Sequence, residues 1–233
     1  LTAVICIRKG VFPRRQSRTL QLQKQKSILQ KGLYLFLYNS CFYFILISIR
    51  TIISVNYTVE EFGYFTFSFT IANAVMLLLD SFNTILFPKT IDLMSSDDNK
   101  KKADALEKMR VGYILTSHML VYLAMICFPI LVWFIPKYMP ALSSMNMIAL
   151  AVLMNTNSYG YSNMLIAQNK EHKAGFISAV SLIVNIILGL GLAKILNVEY
   201  SYITIAILVA YMISSFLMAY EGDTILRREK SLS

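Results

Sequence analysis

Long runs of apolar residues, separated by short polar segments, dominate the hydropathy pattern of this chain. Each run has about 20 mostly apolar residues, which a helix rising 1.5 Å per residue needs to cross ~30 Å of hydrocarbon. Continuous stretches such as AVMLLLDSFNTILF lack the strict alternation of membrane β-barrel strands. The pattern predicts an all-α integral membrane protein with six transmembrane helices, at residues 33–55, 63–87, 111–135, 142–167, 174–196 and 201–220.

Composition supports a membrane protein. Apolar residues make up 56% of the chain and charged residues 15%, with a mean hydropathy of +0.56. Soluble domains have about 25% charged residues. A soluble enzyme or a globular binding domain is therefore excluded.

The positive residues predict the orientation of the helices. Of 22 Lys and Arg residues, 19 lie in residues 8–31, 88–110, 168–173 and after 220, whereas the alternate loops hold only Lys137. Positively charged loops stay on the cytoplasmic side during insertion. We therefore expect a cytoplasmic C-terminus. The net charge of +9 requires no nucleic acid, because attraction to anionic membrane lipids explains basic loops.

The same pattern divides the chain into four parts. Residues 1–7, LTAVICI, are too short to span a membrane and are typical of the end of a preceding transmembrane helix. Residues 8–31 form a basic cytoplasmic segment. The six spans follow within residues 32–220, and residues 221–233 form a cytoplasmic tail.

Residues that carry chemistry are few. Cys6, Cys41 and Cys127 lie singly in apolar segments, and the two histidines, His118 and His172, are far apart in the sequence. No phosphate-binding glycine loop or nucleophile motif is present. We therefore predict no catalytic residue, no metal site and no cofactor.

Polar residues inside the spans are the candidate functional residues. On a helical wheel of 100° per residue, Arg50 lies about 20° and Tyr43 about 40° from Asn39, so the first span has one polar face. In the second span Asn73 lies about 20° from Asp80. Charged groups within a membrane usually face a cavity or a partner, which makes these residues candidates for lining a cavity.

The fourth and fifth spans carry further candidates. The fourth contains the polar run NTNSYGYSN, which includes Asn155 and Tyr159, and the fifth contains Asn185. Such residues either line a cavity or only bond neighbouring helices. Asp80 and His118 fall at similar depth, so they either form a coupling pair or the histidine only packs.

Four segments resemble a known family: EEFGYFTFSFTIAN (60–73), LFPKTIDL (86–93), PKYMPALSSMNMIAL (136–150) and SNMLIAQNKEHKAGFISAVSLIVNIILGLGLAKIL (162–196). They resemble the C-terminal half of bacterial polysaccharide-biosynthesis flippases, the O-antigen exporters of the multidrug/oligosaccharidyl-lipid/polysaccharide exporter superfamily. The resemblance implies the second six-helix lobe of a two-lobe exporter with a MATE-like fold. It also implies that residues 8–31 are the linker between the lobes and that an N-terminal lobe is the partner.

The resemblance further implies a function for the polar residues. Family members move undecaprenyl-pyrophosphate-linked oligosaccharide across the bacterial inner membrane by alternating access, beside polysaccharide polymerase machinery. Arg50 would then hold the pyrophosphate, because a guanidinium forks onto phosphate oxygens. Asn39, Tyr43 and the NTNSYGYSN run would bond sugar hydroxyls.

Two alternatives remain open on the sequence alone. A multidrug-type cation antiporter of the same superfamily would use a carboxylate such as Asp80 rather than an arginine. A non-transporting membrane scaffold, or a gene fragment, is the other alternative.

Overall fold

Helices make up all the regular structure in the described part of the chain, residues 18–94 and 99–232 of a computed structural model. They are α1 (Arg18–Asn56), α2 (Val59–Met94), α3 (Asn99–Phe134), a 3-10 helix (Pro136–Ala141), α4 (Leu142–Thr156), α5 (Tyr161–Ala167), α6 (Glu171–Lys194), α7 (Tyr200–Ile203) and α8 (Ile205–Leu232). Six segments are long and apolar enough to cross a membrane, which confirms the all-α, multi-pass prediction. They are Ile28–Asn56, Val59–Leu86, Glu107–Phe134, Pro136–Thr156, Glu171–Lys194 and Tyr200–Thr224.

The first and last spans extend beyond their predicted limits. Residues 18–31, expected in a linker, continue α1 without a break, and residues 221–232 of the expected tail continue α8. Gln, Lys and Leu are good helix formers, and residues 18–31 contain no glycine or proline. The expected helix end at 1–7, residues 8–17 of the linker and Ser233 lie outside the described residues.

The predicted fourth span, 142–167, is divided by a turn. α4 ends at Thr156 and α5 begins at Tyr161. Between them Gly160 has φ 86°, a left-handed conformation that favours glycine because it has no Cβ. The polar run within this span is therefore the place where the helix changes direction.

Contacts between distant residues show that the helices run alternately up and down. At one end, which we call the basic end, Lys31 Nζ donates to Asn169 Oδ1 at 2.6 Å and Lys173 pairs with Glu221 at 2.5 Å. At the opposite end the Tyr57 hydroxyl donates to the carbonyl of Val198 at 2.5 Å. The two sets of loops thus lie at opposite ends of the bundle.

A capping box starts α2 at the opposite end. The backbone N–H of Thr58 donates to Glu61 Oε2 at 2.9 Å, and the backbone N–H of Glu61 donates to Thr58 Oγ1 at 3.3 Å. These reciprocal bonds satisfy N–H groups that a helix start otherwise leaves without partners. They fix the short turn from α1 into α2.

The most extensive interface in the fold joins α1 and α6. Three residues of α6 meet α1 along its length, which allows the two backbones to come close: Gly175, Asn185 and Gly189. A Cβ on Gly175 would lie 3.0 Å from the carbonyl oxygen of Tyr34. Close packing through small residues is typical of membrane helix pairs, where lipid supplies no hydrophobic drive for association.

We expect Gly189→Val to destabilise the bundle. A Cβ at this position would lie 2.7 Å from Ile49 Cδ1 and 2.9 Å from Ile52 Cδ1, so both isoleucines would have to move. Overpacking of this kind costs about 1–3 kcal/mol. The thermal midpoint for loss of monodisperse protein in detergent should fall.

Gly191→Val is the matched control for this variant. Gly191 lies two residues further along α6, and a Cβ there meets no atom within 4 Å. Equal midpoints for the two variants would contradict close packing of α6 on α1.

Candidate functional site

A cavity of about 330 Å³ lies among α1, α2, α4 and α5. Its lining contains both polar and apolar side chains: Leu35, Tyr38, Asn39, Phe42, Tyr43, Asp80, Asn155, Tyr159, Ser162, Asn163 and Ile166. Because Asn39 lies eight residues, about 12 Å, beyond Lys31 along α1, the cavity is in the half of the bundle nearer the basic end. Polar groups inside a membrane need hydrogen-bond partners, which water, a ligand or a helix supplies.

Aromatic stacking holds two walls of the cavity. The ring of Tyr159 stacks on Tyr113 of α3 with centroids 3.8 Å apart, and Phe42 stacks on Tyr211 of α8 at 5.3 Å. The Tyr211 hydroxyl also donates to the carbonyl of Phe42 at 3.4 Å. These two walls are therefore fixed by helices that do not themselves line the cavity.

Asp80 is the one charged side chain among the described residues that line the cavity. It is exposed, and its carboxylate makes no hydrogen bond or ion pair within residues 18–94 and 99–232. Tyr38 and Ser162 add two hydroxyl groups to the same lining. The cavity thus offers one carboxylate acceptor among neutral amides and hydroxyls.

Asn163 is the most deeply buried amide of the lining. Its side chain is 6% exposed, and its Nδ2 has no hydrogen-bond partner among the described residues. A buried donor without a partner costs about 1–3 kcal/mol.

The cavity brings together five of the residues expected from the sequence. They are Asn39 and Tyr43 of α1, Asp80 of α2, Asn155 of α4 and Tyr159 of the turn that follows. The lining therefore draws on both polar stripes of the first two spans.

Arg50 and Asn73 lie outside the lining. Arg50 shares the face of Asn39 but is 11 residues, roughly 16 Å, further along α1. Its side chain is exposed, and its guanidinium carbon lies 5.5 Å from the ring centroid of Phe62. Asn73 is half-buried and roughly 10 Å along α2 from Asp80.

Asn185 is placed between helices rather than in the cavity. It is fully buried, and its Nδ2 donates to the carbonyl of Ile45 at 2.9 Å and to Ser48 Oγ at 2.8 Å. The side chain therefore joins α6 to α1.

The expected pair between Asp80 and His118 does not form in this structure. His118 Nδ1 lies 2.8 Å from the carbonyl oxygen of Ile114, one turn earlier in its own helix, and its ring packs edge-on against Tyr122. The imidazole Nδ1 is therefore engaged by α3 itself and not by Asp80.

Tyr38, Ser162 and Asn163 are lining residues that the sequence did not single out as a site. Tyr38 is adjacent to Asn39 in the sequence, but neighbours on a helix point about 100° apart. The helical wheel of α1 therefore selects Asn39 for the polar face and leaves Tyr38 out. Ser162 and Asn163 belong to the polar run of the fourth span, and this run was the one signal that pointed to them.

A polar cluster ties α5 to its neighbours beside the cavity. Arg110 Nη1 of α3 donates to the Tyr161 hydroxyl at 2.6 Å, and this hydroxyl donates to Asp223 Oδ1 of α8 at 2.7 Å. The ring of Tyr161 fills the space where a Cβ on Gly222 would lie 2.2 Å from its Cδ1. We call the bonds of the Tyr161 hydroxyl to Arg110 and Asp223 the clamp. Because Ser162 and Asn163 follow Tyr161 directly, the clamp fixes the start of the helix that carries them.

The chemical groups of the lining are those of a binding site. No group of three or more His, Cys, Asp or Glu residues comes together in the described part of the chain. A carboxylate, amides, hydroxyls and aromatic rings around an open space are typical of a site for a small polar ligand.

Comparison of the chain with protein-family models, with curated proteins and with solved structures found no match.

We expect Tyr161→Phe to destabilise the basic end of the bundle. The substitution keeps the ring but removes both hydrogen bonds of the hydroxyl, one to Arg110 and one to Asp223. Hydrogen bonds to charged groups contribute about 1.5–3 kcal/mol, and the thermal midpoint in detergent should fall accordingly.

Tyr220→Phe is the control for this prediction. Tyr220 lies on α8, is 66% exposed, and its hydroxyl makes no hydrogen bond among the described residues. A midpoint for Tyr161→Phe equal to that of the control would show that the clamp contributes nothing.

Proposed function

We propose that the chain is one lobe of a flippase that moves lipid-linked oligosaccharide from the cytoplasmic to the outer leaflet of the bacterial inner membrane. The observation that carries the proposal is the open polar cavity among apolar, membrane-spanning helices. A scaffold protein does not need a polar cavity inside the membrane. A protein that moves a hydrophilic headgroup through hydrocarbon needs such a cavity to solvate the headgroup.

The proposal gives the two ends of the bundle different roles. The basic end, with Lys31 and Lys173, faces the cytoplasm and contacts anionic lipids, in accord with the distribution of positive residues. The opposite end faces the outer side. A second lobe, arranged as in a MATE-like exporter, completes the cavity on the exposed face of α1, and the two lobes rock around it.

Arg50 serves the diphosphate in this mechanism. It is exposed on the face of α1 that also carries Asn39 and Tyr43. It lies about 16 Å nearer the outer end of the helix than Asn39 does. A guanidinium there is available to a phosphate group, whereas the charged residue among the described residues of the lining is a carboxylate. Headgroup and diphosphate would therefore bind at different points along α1.

Export of organic cations is a second candidate, and one observation favours it. The Asp80 carboxylate has no ion pair within the described ranges, and the aromatic rings of Phe42, Tyr43 and Tyr159 share its cavity. A carboxylate beside aromatic rings is also a suitable site for a cation.

Native mass spectrometry of the full chain in detergent separates these functions. Undecaprenyl-diphosphate-linked trisaccharide should remain bound to the protein at least about tenfold more than phosphatidylglycerol, because specific charge-assisted bonds contribute more than about 1.4 kcal/mol. Arg50→Ala should remove most of this preference, and Arg50→Lys should keep part of it because an ammonium lacks the bidentate fork.

Lys194→Ala is the matched control. Lys194 is an exposed cation in the last turn of α6, at the end of the bundle opposite the basic end. It should leave retention unchanged. Full retention in Arg50→Gln would remove Arg50 from the site. The opposite result would be that the protein retains tetraphenylphosphonium, loses it in Asp80→Asn, and shows no preference for the lipid-linked trisaccharide. That result would favour the cation exporter over the flippase.

A further inference from the structure

The buried apolar residues of the bundle fall into two clusters, and parts of α2 and α3 belong to neither. The buried residues of the main cluster reach only to Leu79 on α2 and begin only at Val121 on α3. A second cluster at the basic end is built by α5, α6 and α8: Tyr161, Met164, Leu165, Ala174, Ile177 and Met218. Within the described residues, α2 and α3 contribute nothing to it.

Residues 80–86 of α2 and 107–119 of α3, which we call the gate, are therefore weakly packed. A groove of about 90 Å³ lies between the two segments, beside Gly112 and Phe82. Val111, Leu115 and Met119 of α3 are exposed. Segments with few buried apolar contacts open locally at a lower free-energy cost than the core does.

Two side chains of α3 hold the gate on the turn between α4 and α5. Arg110 and Tyr113 are three residues apart and share one face of α3. Arg110 Nη1 donates to the Tyr161 hydroxyl at 2.6 Å, and its guanidinium carbon lies 4.1 Å from the centroid of the same ring. Tyr113 stacks on Tyr159 with centroids 3.8 Å apart. The two contacts thus lie on either side of the left-handed Gly160.

The bond made by Arg110 is suited to being broken and remade. Its acceptor is a hydroxyl, and the Asp223 carboxylate is joined to it through that hydroxyl. Arg110 Nε is buried and has no hydrogen-bond partner among the described residues. Water at the basic end would solvate this group if α3 moved outward, so separation costs less than breaking a complete buried ion pair.

The gate forms one side of the cavity. Asp80, at the start of the gate, lines both the cavity and a small void of about 20 Å³. Leu79 and Tyr113 line this void and also the groove between α2 and α3. Movement of α3 away from the Gly160 turn would therefore join the groove, the void and the cavity, and would open the cavity toward the basic end.

We propose that residues 80–86 and 107–119 form a gate of the cavity at the basic end, and that Arg110 and Tyr113 hold it closed on the Gly160 turn. Met164 and Leu165 are fully buried, so α5 stays in place while the gate moves. This opening takes place within one chain and differs from the rocking of two lobes. It applies to any ligand of the cavity and does not depend on the flippase.

Alkylation of a buried cysteine behind the gate measures its opening. Thr156→Cys, in the full chain with Cys6, Cys41 and Cys127 replaced by alanine, puts the reporter on the void at a position that is 4% exposed. Ser144→Cys is the matched reporter, because it replaces another buried hydroxyl of α4 about 18 Å nearer the opposite end. The rate of reaction with N-ethylmaleimide is measured in detergent at constant pH.

Arg110→Met should raise the alkylation rate of Thr156→Cys about tenfold, because the rate follows the open population and a hydrogen bond from a charged group is lost. Ser144→Cys should react at an unchanged rate. Lys108→Met, which removes an exposed cation two residues earlier on α3, should leave both reporters unchanged. Arg110→Lys should give an intermediate rate, because an ammonium still donates to the hydroxyl. It replaces Arg110→Met if that variant is not monodisperse.

Equal rates at Thr156→Cys in the Arg110 variant and in Lys108→Met would overturn the gate. An equal rise at Ser144→Cys would also overturn it, since the whole bundle would then have loosened. Neither result involves the retention of lipid-linked trisaccharide. The gate can therefore fail while the flippase stands, and the flippase can fail while the gate stands.

Discussion

The buried amide of Asn185 is the contact on which the cavity depends. Its bonds to the carbonyl of Ile45 and to Ser48 fix the rotation of α1 against α6, and Gly189 lets the two helices approach. With α1 held in this way, Asn39 and Tyr43 point into the cavity. A polar residue in an apolar helix thus acts on the site from a distance, by setting the direction of a neighbouring helix.

Hydropathy was sufficient to predict an all-helical chain with six apolar spans, and helical period groups some of the residues that line the cavity. The need to bury about 20 apolar residues per span predicts the helices. The period of α1 groups Asn39 with Tyr43 and that of α2 marks Asp80, and all three line the cavity. Period could not separate Arg50 from Asn39, because residues on one face can be far apart along the axis. Helical period also could not show whether Asn185 lines a cavity or bonds another helix. That depends on which helix packs beside it.

The rest of the site depends on a backbone change that no hydropathy pattern shows. The turn at Gly160 redirects the chain, and the clamp of Tyr161 by Arg110 and Asp223 then fixes the start of α5. Asn163 reaches the cavity because of these two features. The sequence shows a polar run at this place, but not which of its residues turn inward.

Spin-label accessibility tests most directly whether the polar cavity among the membrane-spanning helices admits water. A nitroxide at Asn155→Cys, in protein with Cys6, Cys41 and Cys127 replaced and reconstituted in bilayers, should collide more with a water-soluble nickel chelate than with oxygen. A label at Ile187→Cys, on the exposed surface of α6, should show the reverse, because oxygen concentrates in lipid. Oxygen-dominated collisions at both positions would contradict an aqueous cavity.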